Sequence, residues 1–218
     1  MNKDFDNVKL IIQDDNGNYL VGRRYGTRYK YSSIGGHREK DETIGETLAR
    51  ELMEETSGLL RFFKDKNQYY IKDNKYKYPV EVVDLKSVKK KIYVLIHTRV
   101  DLSEHISRWK LQFHKNQENI IFDEIEDLYK KYPSISRIQW IEYLLKFKND
   151  YSNRDLVDIL QDVKLNKPEI RRILAEFEEL GYYLEMDDID LVSYRDLKED
   201  DGLYEREFLN MLKTIEKN

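Results

Sequence analysis

Glu51, Glu54 and Glu55 stand at i, i+3 and i+4 within GHREKDETIGETLARELMEETSG, residues 36–58. On a helix these three side chains project from one face. Three like charges there repel one another unless a cation sits between them, so the spacing points to a cage for a hard divalent ion. The plain alternative for an isolated Arg-Glu-x-x-Glu-Glu is a solvated charged helix. The four histidines, His37, His97, His105 and His114, show no paired metal-ligand spacing, and the absence of cysteine removes thiolate sites and disulfides.

The carboxylates need a helix to align them, and the sequence supplies its signals. Thr43 followed by Glu46 is a capping box, Gly58 stands where a glycine ends a helix, and Ile44, Leu48 and Leu52 can face a core. Thr43 to Thr56 is therefore predicted helical, behind a Gly35-Gly36 turn. Upstream, Val8 to Ile12 and Tyr19 to Val21 flank Asp14-Asp15-Asn16-Gly17, a strong hairpin signal. Downstream, Tyr69 to Ile71, Val80 to Leu85 and Ile92 to Val100 read as strands, and Phe122 to Tyr129 as a closing helix. Strands on both sides of a short helix imply an α+β fold.

This pattern resembles the Nudix box: Gly36, Glu42, Arg50, Glu51, Leu52, Glu54 and Glu55 all fall on its specified positions. The departure is at the end, where Ser57 stands for the family's glycine. A one-residue extension restores the register as Gly58-Leu59. The resemblance implies a Nudix α/β/α sandwich with a mixed sheet over residues 1–132, and hydrolysis of a nucleoside diphosphate linked to another group with bound Mg²⁺ or Mn²⁺. It implies Glu51, Glu54, Glu55 and the Gly35 carbonyl as metal ligands, with Gly36, Glu42 and Arg50 supporting them. It further implies a general base that is either a glutamate of the box or one on a later loop, for which Glu118 is the candidate. Arg23 and Arg24 are candidates for substrate phosphates, although surface arginines after a hairpin are common.

Beyond Pro133 and Ser134 the pattern becomes helical. Ser136 can cap a helix bearing Ile138, Ile141, Leu144 and Leu145, and Asn153 another bearing Leu156, Ile159 and Leu160. A third begins near Pro168, presents Ile170, Ile173, Leu174, Phe177 and Leu180, and ends at Gly181. Tyr182 to Met186 and Ile189 to Tyr194 then read as a hairpin around Asp187-Asp188. Three helices and a hairpin predict a small, mostly helical winged-helix-like domain at 133–218.

The net charge of −4 hides an asymmetry. Residues 1–150 carry 28 Lys+Arg against 24 Asp+Glu, or +4, and residues 151–218 carry 10 against 18, or −8. A basic catalytic half suits a polyanionic substrate. No apolar run is long enough for a membrane span and no signal-peptide core follows Met1, so an intracellular, cytoplasmic setting is expected. Two functions are weighed. One is a metal-dependent Nudix pyrophosphohydrolase acting on a nucleotide derivative or a capped RNA. Lysines around Lys72 to Lys77 and Lys86 to Lys91, interleaved with Tyr70, Tyr76 and Tyr78, could grip RNA, but a strand edge guarded by lysines explains them as well and ranks first. The other is a Nudix-related nucleotide-sensing transcriptional regulator, with Lys167, Arg171 and Arg172 facing DNA. Glu176, Glu178, Glu179, Glu185, Asp187, Asp188 and Asp190 would repel phosphates there, so DNA is disfavoured and a protein partner is favoured for the acidic C-terminal domain.

Overall fold

Val8, Leu10 and Ile12 alternate with Lys9 and Ile11, the two-residue period of a strand, and Asn7–Gln13 forms β1. In the computed structural model, which describes residues 5–24, 31–88, 90–149, 154–184, 186–199, 209–210 and 212–213, β1 turns back into β2 (Asn18–Arg24). The turn is built by Asp14, whose buried carboxylate accepts from the amides of Asn16 at 3.0 Å and Asn18 at 2.7 Å. After α1 (Ile44–Glu55) come the antiparallel strands β3 (Arg61–Asp65), β4 (Gln68–Lys72), β5 (Lys77–Val88) and β6 (Lys91–Thr98). β6 lies parallel to β1 and joins the two groups into one mixed sheet.

The two faces of β1 build separate cores. Val8, Leu10 and Ile12, with Val94 and Ile96 of β6, pack against Ile44, Leu48 and Leu52 of α1 and against Trp109 and Phe113 of α2 (Ser103–Lys131). Ile11, Tyr19, Val21, Tyr93 and Leu95 face the other way and meet Leu209 and Leu212. Helices α3 (Arg137–Asn149), α4 (Arg154–Asp162) and α5 (Lys167–Tyr183) enclose a third core around Trp140, Phe177 and Leu160. A final strand, β7 (Met186–Ser193), is followed by the short α6 (Tyr194–Glu199). The chain divides into two compact units, residues 1–114 with 185–218, and residues 115–184. The segment 133–218 is thus shared between them. No helix of the described residues is long and apolar enough to cross a membrane.

Several sequence expectations need correction. The predicted hairpin does not form: α5 continues through Gly181 to Tyr183, and Met186–Ser193 is the single strand β7, antiparallel to β2 at the end of the sheet order β3-β4-β5-β6-β1-β2-β7. The open edge of β2 offers a ladder from Asn18 to Arg24, and cations meet the aspartates: Arg23 holds Asp187 at 3.0 Å and Lys110 holds Asp190 at 3.0 Å. A local turn at Asp187-Asp188 has no such compensation. The closing helix is 29 residues long, not the short Phe122 to Tyr129 segment. On α3 the buried face is Trp140, Tyr143, Leu144 and Phe147, leaving Ile138, Ile141 and Leu145 exposed, because the larger aromatic rings remove more apolar area from water. Asn153, the expected cap of α4, lies outside the described residues. Ser136 does cap α3, exchanging hydrogen bonds with Gln139.

Candidate active site

Helix α1 begins as the sequence predicts. The Glu46 amide donates to the Thr43 hydroxyl at 3.3 Å and the Thr43 amide to the Glu46 carboxylate at 2.8 Å, a complete capping box. Its end is a left-handed exit: Ser57 has φ +50° and Gly58 φ +73°, and the Gly58 amide reaches back to the Met53 carbonyl at 2.7 Å. Ser57 therefore takes the conformation usually given to glycine, and the extra residue is absorbed in the exit turn. The carboxylates upstream keep their register.

Arg50 organises those carboxylates. Its Nε and Nη2 donate to the two oxygens of Glu42 at 2.8 and 3.1 Å, a forked pair, while a second bond from Nη2 goes to the His37 carbonyl at 2.7 Å. Its Nη1 donates to Glu51 and to Glu54, each at 2.9 Å, so these two carboxylates share one nitrogen. Arg50 holds the Glu42 carboxyl down to about 2 from the usual 4.5, helped by bonds from the Glu39 amide and Thr47 and opposed by partial burial. Glu54 moves the other way: burial raises its pKa, and Arg50 only partly offsets this.

The Gly35–Gly36 turn lies against the same group. The Gly35 amide donates to Glu55 at 2.7 Å, and Glu55 is only 1% exposed. A Cβ at Gly36 would sit 2.4 Å from both carboxylate oxygens of Glu51, so any larger residue there would displace that carboxylate from its present position. At Gly35, φ is +130° and a Cβ would strike the Val8 carbonyl at 2.2 Å. The turn is fixed to β1 by hydrogen bonds from Val8 to Gly36 and from Leu10 to Ile34.

Of the residues singled out in the sequence, Gly35, Gly36, Glu42, Arg50, Glu51, Glu54 and Glu55 are brought together. Glu118 is not on a loop: it is exposed within α2, in the unit spanning residues 115–184. The loop expected to present it is helix. Arg23 is engaged by Asp187 and Asp188, and only the backbone of Arg24 is described, opposite Met186. Sequence reasoning missed Lys9, whose ammonium donates to the Gly35 carbonyl at 2.5 Å. A lysine inside an otherwise apolar strand was the available signal. It also missed Thr47, buried in α1, which donates to Glu42 at 3.0 Å.

Among the described residues no three His, Asp or Glu side chains are gathered as a finished ligand set. The three carboxylates are engaged by Arg50 and the Gly35 amide instead. The donor set nevertheless fits a divalent ion of the Mg²⁺ or Mn²⁺ type. All of its atoms are hard oxygens, the Gly35 carbonyl keeps a second lone pair beside its bond to Lys9, and the burial that raises Glu54 is a cost that a cation relieves.

The family profile for the NUDIX domain matches residues 4–137, more than half of the chain. Comparison with curated proteins gives no match. Among solved structures the chain is similar to a Chromobacterium violaceum protein assigned to the Nudix hydrolase family, at 18% identity, 45% of this chain, 52% of that one and a TM-score of 0.28. It is also similar to a MutT protein from Methanosarcina mazei Go1, at 22% identity, 45% and 64% coverage and a TM-score of 0.23. For the E. coli ORF135 protein the values are 22%, 43% and 58%, and 0.21. The chain therefore spans about half to just under two thirds of these proteins, and at such TM-scores the likeness adds no weight. The assignment rests on the profile together with a box whose glycine turn, arginine and glutamates meet at one place: the chain belongs to the Nudix family.

Proposed function

We propose that the protein is a metal-dependent Nudix pyrophosphohydrolase that cleaves a nucleoside diphosphate linked to another group. The observation that carries this reading is the sharing of Arg50 Nη1 by Glu51 and Glu54 next to the turn that holds Glu55. A bound Mg²⁺ or Mn²⁺ would neutralise diphosphate charge and acidify water. Glu51, Glu54, Glu55 and the Gly35 carbonyl are the groups that would hold it. Arg50 fixes the rotamers of two of those carboxylates, and Glu42 fixes Arg50 through a forked pair, so the acids are oriented before substrate arrives. With Glu118 at an exposed position within α2 and not on a loop, the box glutamates are the proton acceptors this reading favours.

The test is a divalent-ion-dependent hydrolysis screen with product identification across nucleoside triphosphates, nucleotide sugars, dinucleoside polyphosphates and capped RNA. Glu54→Gln and Glu55→Gln should each abolish turnover while the far-ultraviolet circular dichroism is unchanged. Wild-type rates in both variants would end this reading. For residues 115–184 a protein-contact role is favoured over DNA reading. Its support is the apolar exposed face of α3 and the absence of a wing hairpin among the described residues.

A further inference from the structure

We propose that the solvent face of β3, β4 and β5 is a binding platform for single-stranded nucleic acid. Directly paired residues of neighbouring strands share a face. Here Phe63, Tyr70 and Pro79 form one row, and Arg61, Lys72 and Lys77 the next. The alternate residues Phe62, Ile71, Tyr78 and Val80 are buried in the core, which turns both rows outward. Arg61, Lys72, Lys77 and Pro79 are exposed, and Phe63 and Tyr70 half-buried.

The rings of Phe63 and Tyr70 stack across the strands with centroids 5.6 Å apart and planes 23° from parallel. The Lys77 ammonium lies 3.7 Å from the Tyr70 centroid and 5.1 Å from that of Phe63. Residues 61–77 contain six Lys or Arg and two aspartates. One aspartate, Asp73, is buried against Arg108, Trp109 and Tyr78 and projects no charge outward; the other, Asp65, pairs with Lys77 at 3.0 Å. On the two outward rows themselves the cations are Arg61, Lys72 and Lys77, while the exposed Glu81, two residues beyond Pro79 on β5, pairs with Arg99 at 3.0 Å.

Lysines alone would guard an edge hairpin against pairing with another chain. They do not require two aromatic rings in register on the wet side. Flat rings flanked by cations match a ligand with its own flat faces and a phosphate backbone, because bases stack and phosphates pair with lysine. In a duplex the base faces are already stacked, so the ligand is single-stranded. Binding of this kind stands independently; as a source of substrate specificity for the carboxylate site it rests on the hydrolase reading.

The experiment is fluorescence anisotropy of the full chain with a short labelled single-stranded oligoribonucleotide, without divalent ions and over a salt series. The wild type should bind with affinity that falls as salt rises. Tyr70→Ala and Phe63→Ala should each weaken binding roughly tenfold. Lys72→Glu, a change at an exposed position that leaves the core intact, should weaken it and flatten the salt slope by roughly one unit. Wild-type affinity in all three variants, no binding at low salt, or equal competition by duplex DNA or polyglutamate would overturn the proposal. Glu54→Gln should bind the oligonucleotide normally, so failure of the platform and failure of the hydrolase reading give different results.

Discussion

Arg50 shows how one side chain can serve three acids: its fork is spent on Glu42 and its remaining nitrogen is divided between Glu51 and Glu54. Because Glu42 is depressed to about 2, it favours the folded state fully above the ordinary carboxylate value of 4.5, and that contribution is lost as pH falls through 2. The melting temperature of Glu42→Gln should accordingly lie below wild type at neutral pH, with the gap closing between pH 4.5 and 2. A gap that widened on acidification would contradict the pairing. At Gly36 the constraint is steric. Gly36→Ala forces Glu51 away from the turn, and the Mn²⁺ or Mg²⁺ concentration for half-maximal activity should rise by roughly ten- to a hundredfold, as when a ligand loses its support. The types and spacing of these residues were readable in the sequence. Their partners were only partly so, since Lys9 lies 26 positions from the carbonyl it touches.

At the scale of elements, α1 was legible to within a residue at each end because its signals are local. Removing its cap by Thr43→Ala should cost about 1 kcal/mol in urea denaturation. β7 was not legible in the same way. The residues from Ile189 read as a strand, but their partner β2 lies more than 160 positions earlier, and nothing near Asp187-Asp188 names it. Ile189 is fully buried in the same core as α1, so Ile189→Ala should lose roughly 2–5 kcal/mol of stability. A loss below about 0.5 kcal/mol would mean that β7 is not part of the cooperative unit. The first half of α2 was also missed: Trp109 and Phe113 are buried four apart, but Leu111 between them is 73% exposed and blurs the helical period.

For the molecule as a whole, β7 belongs to the same compact unit as the carboxylate helix. Residues 1–132 alone lack the strand that covers β2 and the Leu209 and Leu212 side chains that cover the second face of the sheet. A chain ending at Leu184 should therefore aggregate or fail to melt cooperatively, although it retains every residue of the box. A monodisperse, cooperatively melting product would show that the C-terminal segment is dispensable. The helical unit at 115–184 has its own core, in which Trp140, Phe147 and Phe177 meet edge to face or at a tilt. On its α5 helix, Arg171 and Arg172 are exposed, but Glu176 follows one turn on and Arg172 donates to the Tyr132 hydroxyl. No salt-dependent mobility shift of duplex DNA is expected from that unit.

The helix that carries the acids, its cap, the glycines that must precede it and the hairpin before it are all written locally in the chain. All of these depend on groups within a few residues of one another, where stereochemistry leaves few choices. Tertiary structure decided which strand closes the sheet, which face of α3 is buried, where Glu118 lies and which cation meets the Gly35 carbonyl. Those outcomes depend on competition between distant surfaces for burial and for hydrogen-bond partners, and no local pattern records which surface wins.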